Sequence, residues 1–125
     1  MKISDVTRFE CTVSNGWEVT HNELLHLSID EIETITELDP GVEVLDIYFL
    51  QDLFQAVNRR ERKLLDVGWY PDGDPKGSYV LLLLNECHDR VGHFDWDYPE
   101  DEFTTRDYPL LFEKIQAVLS SCSGV

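Results

Sequence analysis

A chain of 125 residues builds one hydrophobic core and not two, and its longest apolar run, Tyr79 to Leu84, is far short of the roughly 20 residues that cross a bilayer. Acids outnumber bases 25 to 10, a net charge of −15; four of the bases sit in Arg59-Arg60-Glu61-Arg62-Lys63, and without that pentapeptide the remainder carries −18. So anionic a body repels nucleic acid and anionic membrane and attracts basic proteins, so direct binding to nucleic acid or membrane is not expected.

The first residues place no apolar stretch behind a basic start, so a secretory signal is not expected and the compartment is read as cytoplasmic. Cys11, Cys87 and Cys122 cannot all pair and match no C-x-x-C spacing, as suits reduced thiols that ligate nothing. Phe9, Cys11 and Val13 alternate with polar residues, and so do Trp17 and Val19. A three-residue loop, Ser14-Asn15-Gly16, with Gly16 left-handed, would set Val13 against Trp17 and Cys11 against Val19 in a hairpin.

Ser28 and Glu31 have the capping-box spacing ahead of Ile29, Ile32 and Ile35, which predicts a short helix. Asp39-Pro40-Gly41 breaks the chain. Ile47, Leu50, Phe54 and Val57 then recur at helical spacing through about Asn58, with the basic run at the C-terminal end, where cations complement the helix dipole. Leu65, Val67 and Trp69 alternate before the turn-rich Pro71-Asp72-Gly73-Asp74-Pro75-Lys76-Gly77, and Tyr79 to Leu84 resumes the hairpin. Apolar on both faces, that run reads as the central strand, with a strand from Gly92 to Tyr98 beside it. Tyr108, Leu111, Phe112, Ile115, Val118 and Leu119 form the stripe of an amphipathic C-terminal helix, and Pro109 stands in its first turn. The expectation is an α+β domain spanning the chain, an antiparallel sheet of about five strands with about three helices packed against it.

Catalytic chemistry finds little to work with, and the chain reads as a non-enzyme without a cofactor. Cys87 and His88 are adjacent, but neighbours on a strand point to opposite faces, so they make a poor dyad. Asp72-Gly73-Asp74 and Asp95-Trp96-Asp97 space carboxylates as a hard-cation site does. A calcium loop starting at Asp72 would end on Glu at the position that Leu83 holds, so solvated turn carboxylates are the better reading and no metal is expected. Gly73 and Gly77 lack the spacing of a phosphate loop. The basic run reads as a helix end paired with the protein's own acids.

Phe94-Asp95-Trp96-Asp97-Tyr98-Pro99-Glu100-Asp101-Glu102-Phe103 holds five carboxylates and four aromatic rings in ten residues. As a strand, Phe94, Trp96 and Tyr98 would share one face, core rings backed by solubilising acids at a sheet edge. Pro99 ends that pattern, leaving Glu100, Asp101, Glu102 and Phe103 on a loop. Aromatic anchors ringed by acids suit a basic protein surface. The candidate interface is therefore Asp95, Trp96, Asp97, Tyr98, Glu100, Asp101, Glu102 and Phe103, with Trp96, Tyr98 and Phe103 as anchors and Asp72 and Asp74 extending the patch from a second loop.

With Asp66 to Leu84 (DVGWYPDGDPKGSYVLLLL), followed by a short strand, the Thr105-Arg106-Asp107 turn and an amphipathic C-terminal helix, the chain resembles, over roughly its second half from Asp66 through Leu119, small acidic immunity proteins of bacterial polymorphic toxin systems, including the contact-dependent growth-inhibition type. The resemblance implies a non-enzymatic cytoplasmic protein that neutralises one cognate toxin domain, commonly a nuclease. A nuclease presents Lys and Arg to phosphates, and an acidic aromatic surface would occlude that active site or cleft. The alternative is an acidic nucleic-acid mimic or adaptor that binds a basic host protein.

Overall fold

Alternation with a period of two organises the molecule. The computed structural model describes residues 8–13, 16–25, 52–72, 74 and 76–120. In chain order these form β1 (Trp17–Asn22), β2 (Phe54–Asn58), β3 (Lys63–Tyr70), β4 (Ser78–Asn85), β5 (Asp101–Thr105) and α1 (Tyr108–Ser120). The strands make one antiparallel sheet in the order β1-β2-β3-β4-β5, an α+β arrangement with one helix among the described residues. That helix is too short to cross a membrane, and no other described helix is long and apolar enough to do so. The helix expected from Ser28, the break at Asp39-Pro40-Gly41, the Ser14-Asn15 part of the first turn, and Cys122 lie outside the described residues.

β3 and β4 pair along their whole length, from Lys63 opposite Asn85 to Tyr70 opposite Ser78. This register sets Leu65, Val67 and Trp69 against Leu83, Leu81 and Tyr79 on one face. Phe54 and Ala56 of β2 lie opposite Val67 and Leu65, so the same face continues across the sheet. Leu111, Phe112, Ile115, Val118 and Leu119 of α1 join these residues in one buried cluster. Their spacing is the amphipathic stripe expected of a helix laid on a sheet, and Pro109 stands in its first turn, where no N–H is needed. Phe9 enters the cluster with its ring 4.3 Å from Phe112 and 5.8 Å from Phe54.

Four expectations change. Phe54–Asn58 is a strand and not the end of a helix, because Phe54, Ala56 and Asn58 are the buried positions, a period of two. The residues before Asp52 in the expected helix are outside the described set. The basic run consequently occupies the β2–β3 turn, where Arg62 adopts φ 59°. It does meet its own acids: Arg59 pairs with Glu18, Arg62 with Glu86 at 2.9 Å, and Lys63 with Glu100. The central strand is β3, and β4 stands second from the edge. Residues 92–98, expected as a strand, form bends held by a single bridge between Glu86 and Phe94, while Asp101–Thr105, whose first three residues are expected on a loop, is the edge strand beside β4.

The first hairpin also differs. Gly16 is left-handed as expected, with φ 93°, but β1 pairs with β2, Trp17 opposite Asn58 and Val19 opposite Ala56. The segment before Gly16 touches the far end of β1 instead, through a bridge from Arg8 to Leu25. It is tied to α1 by the Gln116 side-chain amide, which accepts from Thr12 N–H at 3.0 Å and donates to Thr12 C=O at 2.9 Å. Apolar burial fades along this segment, from buried Phe9 through half-buried Cys11 to exposed Val13.

On the sheet face opposite α1, Asp66 of β3 is 2 % exposed. Its Oδ1 accepts a hydrogen bond from Gln55 Nε2 at 2.8 Å. Burial pushes its carboxyl above the ordinary range; the Gln55 hydrogen bond opposes this and the Asp52 charge adds to it. A raised folded value means that its contribution to stability is fully present below the unfolded value and is lost as pH rises through the folded one. Asp66→Asn keeps an acceptor for Gln55 and carries no charge, so it should stabilise the protein at neutral pH by on the order of 1 kcal/mol. Glu86 runs the other way, its pKa lowered chiefly by the Arg62 hydrogen bond. The difference between wild-type and variant urea midpoints, followed from about pH 3 to pH 8, isolates Asp66. That difference should grow as pH rises from the unfolded value to the folded one and then level off; a difference that is flat over the whole range or shrinks would mean the carboxylate is not penalised by the fold.

Candidate functional site: an acidic aromatic loop

After β4 the chain leaves the sheet at Asn85, runs through residues 86–100 and returns as β5. This loop is fastened along its length. Glu86 bridges to Phe94; Cys87 N–H donates to His93 C=O at 2.7 Å, and His93 N–H to Arg90 C=O at 3.1 Å, closing a turn in which Gly92 takes φ 85°. Asp95 N–H then returns to Asn85 C=O at 2.9 Å. One Asp95 carboxylate oxygen, Oδ1, accepts from both Asp97 N–H and Tyr98 N–H at 3.2 Å. Such a turn is what an aspartate two and three residues ahead of free amides favours. Glu100 N–H donates to Leu83 C=O at 2.8 Å as β5 begins.

The side chains on this frame are unusually apolar for their exposure. Tyr98 is 80 % exposed, Trp96 51 % and Val91 87 %. Isolated exposed apolar residues need no explanation, whereas three within eight residues of one hydrogen-bonded loop point to a contact surface. Val91 escaped the sequence reading because it stands alone between Arg90 and Gly92 in a polar stretch, and no periodicity marks it.

The acids separate into two groups. Lys63 holds Glu100, and Lys114 Nζ lies 2.7 Å from Asp101 Oδ2, so two of the candidate carboxylates are neutralised from within. Asp97 and Glu102 are exposed and take no ion pair or side-chain hydrogen bond among the described residues. Phe103 is half-buried against the core, with Lys114 Nζ 5.9 Å above its ring, and serves the fold as a packing residue. Asp72 and Asp74 belong elsewhere. Their loop joins β3 to β4 at the Tyr70–Ser78 end of the sheet, while residues 86–100 leave from the Lys63–Asn85 end. Eight residues of strand separate the two ends by about 25 Å. Asp74 is a turn-former there, its Oδ1 accepting from Lys76 N–H at 2.9 Å and its C=O from Trp69 Nε1 at 2.6 Å.

A groove of about 490 Å³ lies between Val57, Arg59 and Arg62 on one side and Val91 and Phe94 on the other. Its guanidinium groups face Glu18 and Glu86, which leaves little net charge for an anionic ligand. Cys87 is half-buried and its neighbour His88 exposed. Among the described residues no three His, Cys, Asp or Glu side chains converge as metal donors. What the site offers chemically is contact: rings, uncommitted carboxylates and a backbone fixed in advance.

No protein-family model, no curated protein and no solved structure matches this chain. Its functional reading therefore rests on the geometry of the loop and on the charge of the body behind it.

Proposed function

We propose that the protein is a non-enzymatic immunity protein that binds a basic toxin domain, a nuclease in the simplest case, and neutralises it by covering its substrate cleft with the 86–100 loop. The observation that carries this reading is the exposure of Trp96 and Tyr98 on a loop whose backbone is already hydrogen-bonded. Large rings presented with little conformational freedom left to lose are the kind of group that dominates binding energy at protein interfaces. The uncommitted Asp97 and Glu102 beside them, within a net charge of −15, would hasten encounter with a cationic cleft. At low salt, association at ~10⁸ M⁻¹s⁻¹ or faster fits such a pair.

The test is growth rescue. The C-terminal domain encoded immediately upstream is expressed with and without this protein, and any complex is recovered and titrated with salt. Rescue accompanied by a one-to-one complex that weakens as salt rises is the expected result. A domain that is toxic yet neither bound nor neutralised would overturn the reading. Capture of several unrelated basic proteins, with none of them neutralised, would favour the nucleic-acid mimic.

A further inference from the structure

The protein shows how it treats cations beside aromatic rings. The Arg106 guanidinium lies 5.6 Å from the centre of the Trp69 ring, and Lys114 Nζ lies 5.9 Å from that of Phe103. Both rings carry an internal cation. Trp96 and Tyr98 are exposed, and neither has a ring or cation partner among the described residues. Of the nearby cations, Lys63 is committed to Glu100 and Asn85, and Arg62 to Glu86 and the Cys87 carbonyl, while the exposed Arg90 of the same loop lies over neither ring. Between the two rings in sequence stands Asp97, whose carboxylate takes no ion pair or hydrogen bond among the described residues while its N–H is fixed by Asp95.

We infer that Trp96, Asp97 and Tyr98 receive an arginine side chain from the protein partner. This rests on the proposed function only in taking the partner to be a basic protein. A guanidinium is planar and weakly hydrated, so it lies against an aromatic face while its N–H fork engages a carboxylate with two hydrogen bonds. An ammonium offers a point charge with a tighter hydration shell and cannot match the fork. An aromatic, carboxylate, aromatic triplet therefore selects arginine over lysine at equal charge, whereas an acidic patch alone would attract both alike. Asp95 supports the triplet as a positioning residue, since its Oδ1 holds the amides of Asp97 and Tyr98.

The experiment uses the full chain and two pentapeptides, acetyl-Gly-Arg-Gly-Arg-Gly-amide and its lysine counterpart, followed by amide and indole NMR shifts at low salt. Trp96→Phe assigns the indole signal. Binding of the arginine peptide should shift the Trp96 indole and the amides of residues 95–98, with an affinity about threefold to tenfold above that of the lysine peptide. Asp97→Asn should remove most of that preference and leave the remaining spectrum unmoved. Equal affinities, shifts confined to another surface, or an Asp97→Asn variant that keeps the preference would each overturn the assignment. The outcomes separate from those of growth rescue: arginine preference without neutralisation leaves the receptor standing and removes the toxin reading, and neutralisation without arginine preference does the reverse.

Discussion

Alanine at Gly77 is expected to destabilise the protein by roughly 3 kcal/mol or more, as overpacking against fixed backbone does. Gly77 stands where the β3–β4 loop re-enters the sheet, and the constraint on it is space. A Cβ there would press on the Tyr70 carbonyl oxygen, 2.7 Å from its carbon and 2.8 Å from Trp69 Nε1. Neither neighbour can yield locally. Tyr70 is held in the ladder opposite Ser78. Trp69 is fully buried, donates to Asp74 C=O at 2.6 Å, and meets the Tyr79 ring edge-on at 4.9 Å. Arg106 adds a further tie, donating to Gly77 C=O while lying over the Trp69 ring. Gly92→Ala is the internal control. Gly92 has φ 85° but open space around its missing side chain, so the substitution should cost only about 1 kcal/mol of left-handed strain. Urea unfolding of both variants decides the matter, and a Gly77→Ala midpoint no lower than that of Gly92→Ala would mean that this end of the sheet is not packed as described.

Much of this fold is legible in the sequence wherever one period stands alone. Leu65, Val67 and Trp69 alternate without competition, and the stripe from Leu111 to Leu119 fits nothing but a helix, so β3 and α1 were readable. Phe54 and Val57 were not, because with Ile47 and Leu50 they recur at helical spacing, while the strand alternation of Phe54 and Ala56 ends on a polar residue. The deciding position was Asn58, which is 1 % exposed on the inner face yet polar. Its Oδ1 accepts from Glu61 N–H at 3.0 Å and so closes the β2–β3 turn, which is why an amide belongs there. Burial of that kind depends on a partner three residues away in a turn, and no periodicity reveals it. The candidate site was legible in composition and illegible in geometry. Five acids in ten residues read as one patch, but Glu100 and Asp101 are spent on Lys63 and Lys114, which arrive from 37 residues earlier in one case and from the helix in the other. Long-range ion pairs leave no local signature in a chain this acidic.

That division of the acids leads to the sharpest functional test. Trp96→Ala and Tyr98→Ala should each lower affinity for the toxin partner by about 2 kcal/mol or more, roughly thirtyfold, and together they should abolish neutralisation. Neither change should move thermal stability by more than about 1 kcal/mol, since the rings are 51 % and 80 % exposed and their loop is held by backbone bonds. Glu100→Gln with Asp101→Asn should behave in the opposite sense. Removing these carboxylates takes the ion-pair partners from Lys63 and Lys114, so stability should fall by about 0.5–1 kcal/mol for each pair, while affinity changes little because their charge is already met from within. Asp97→Asn and Glu102→Gln, which break no ion pair among the described residues, should slow association and flatten its dependence on salt, and the loss of the Asp97 contact to the partner's arginine should also speed dissociation. Calorimetric stability and surface-binding kinetics on the three double variants and wild type separate these roles. If the Glu100/Asp101 variant lost more affinity than the Trp96/Tyr98 variant, the contact would have to lie along β5, with the partner competing against Lys63 and Lys114 for their carboxylates.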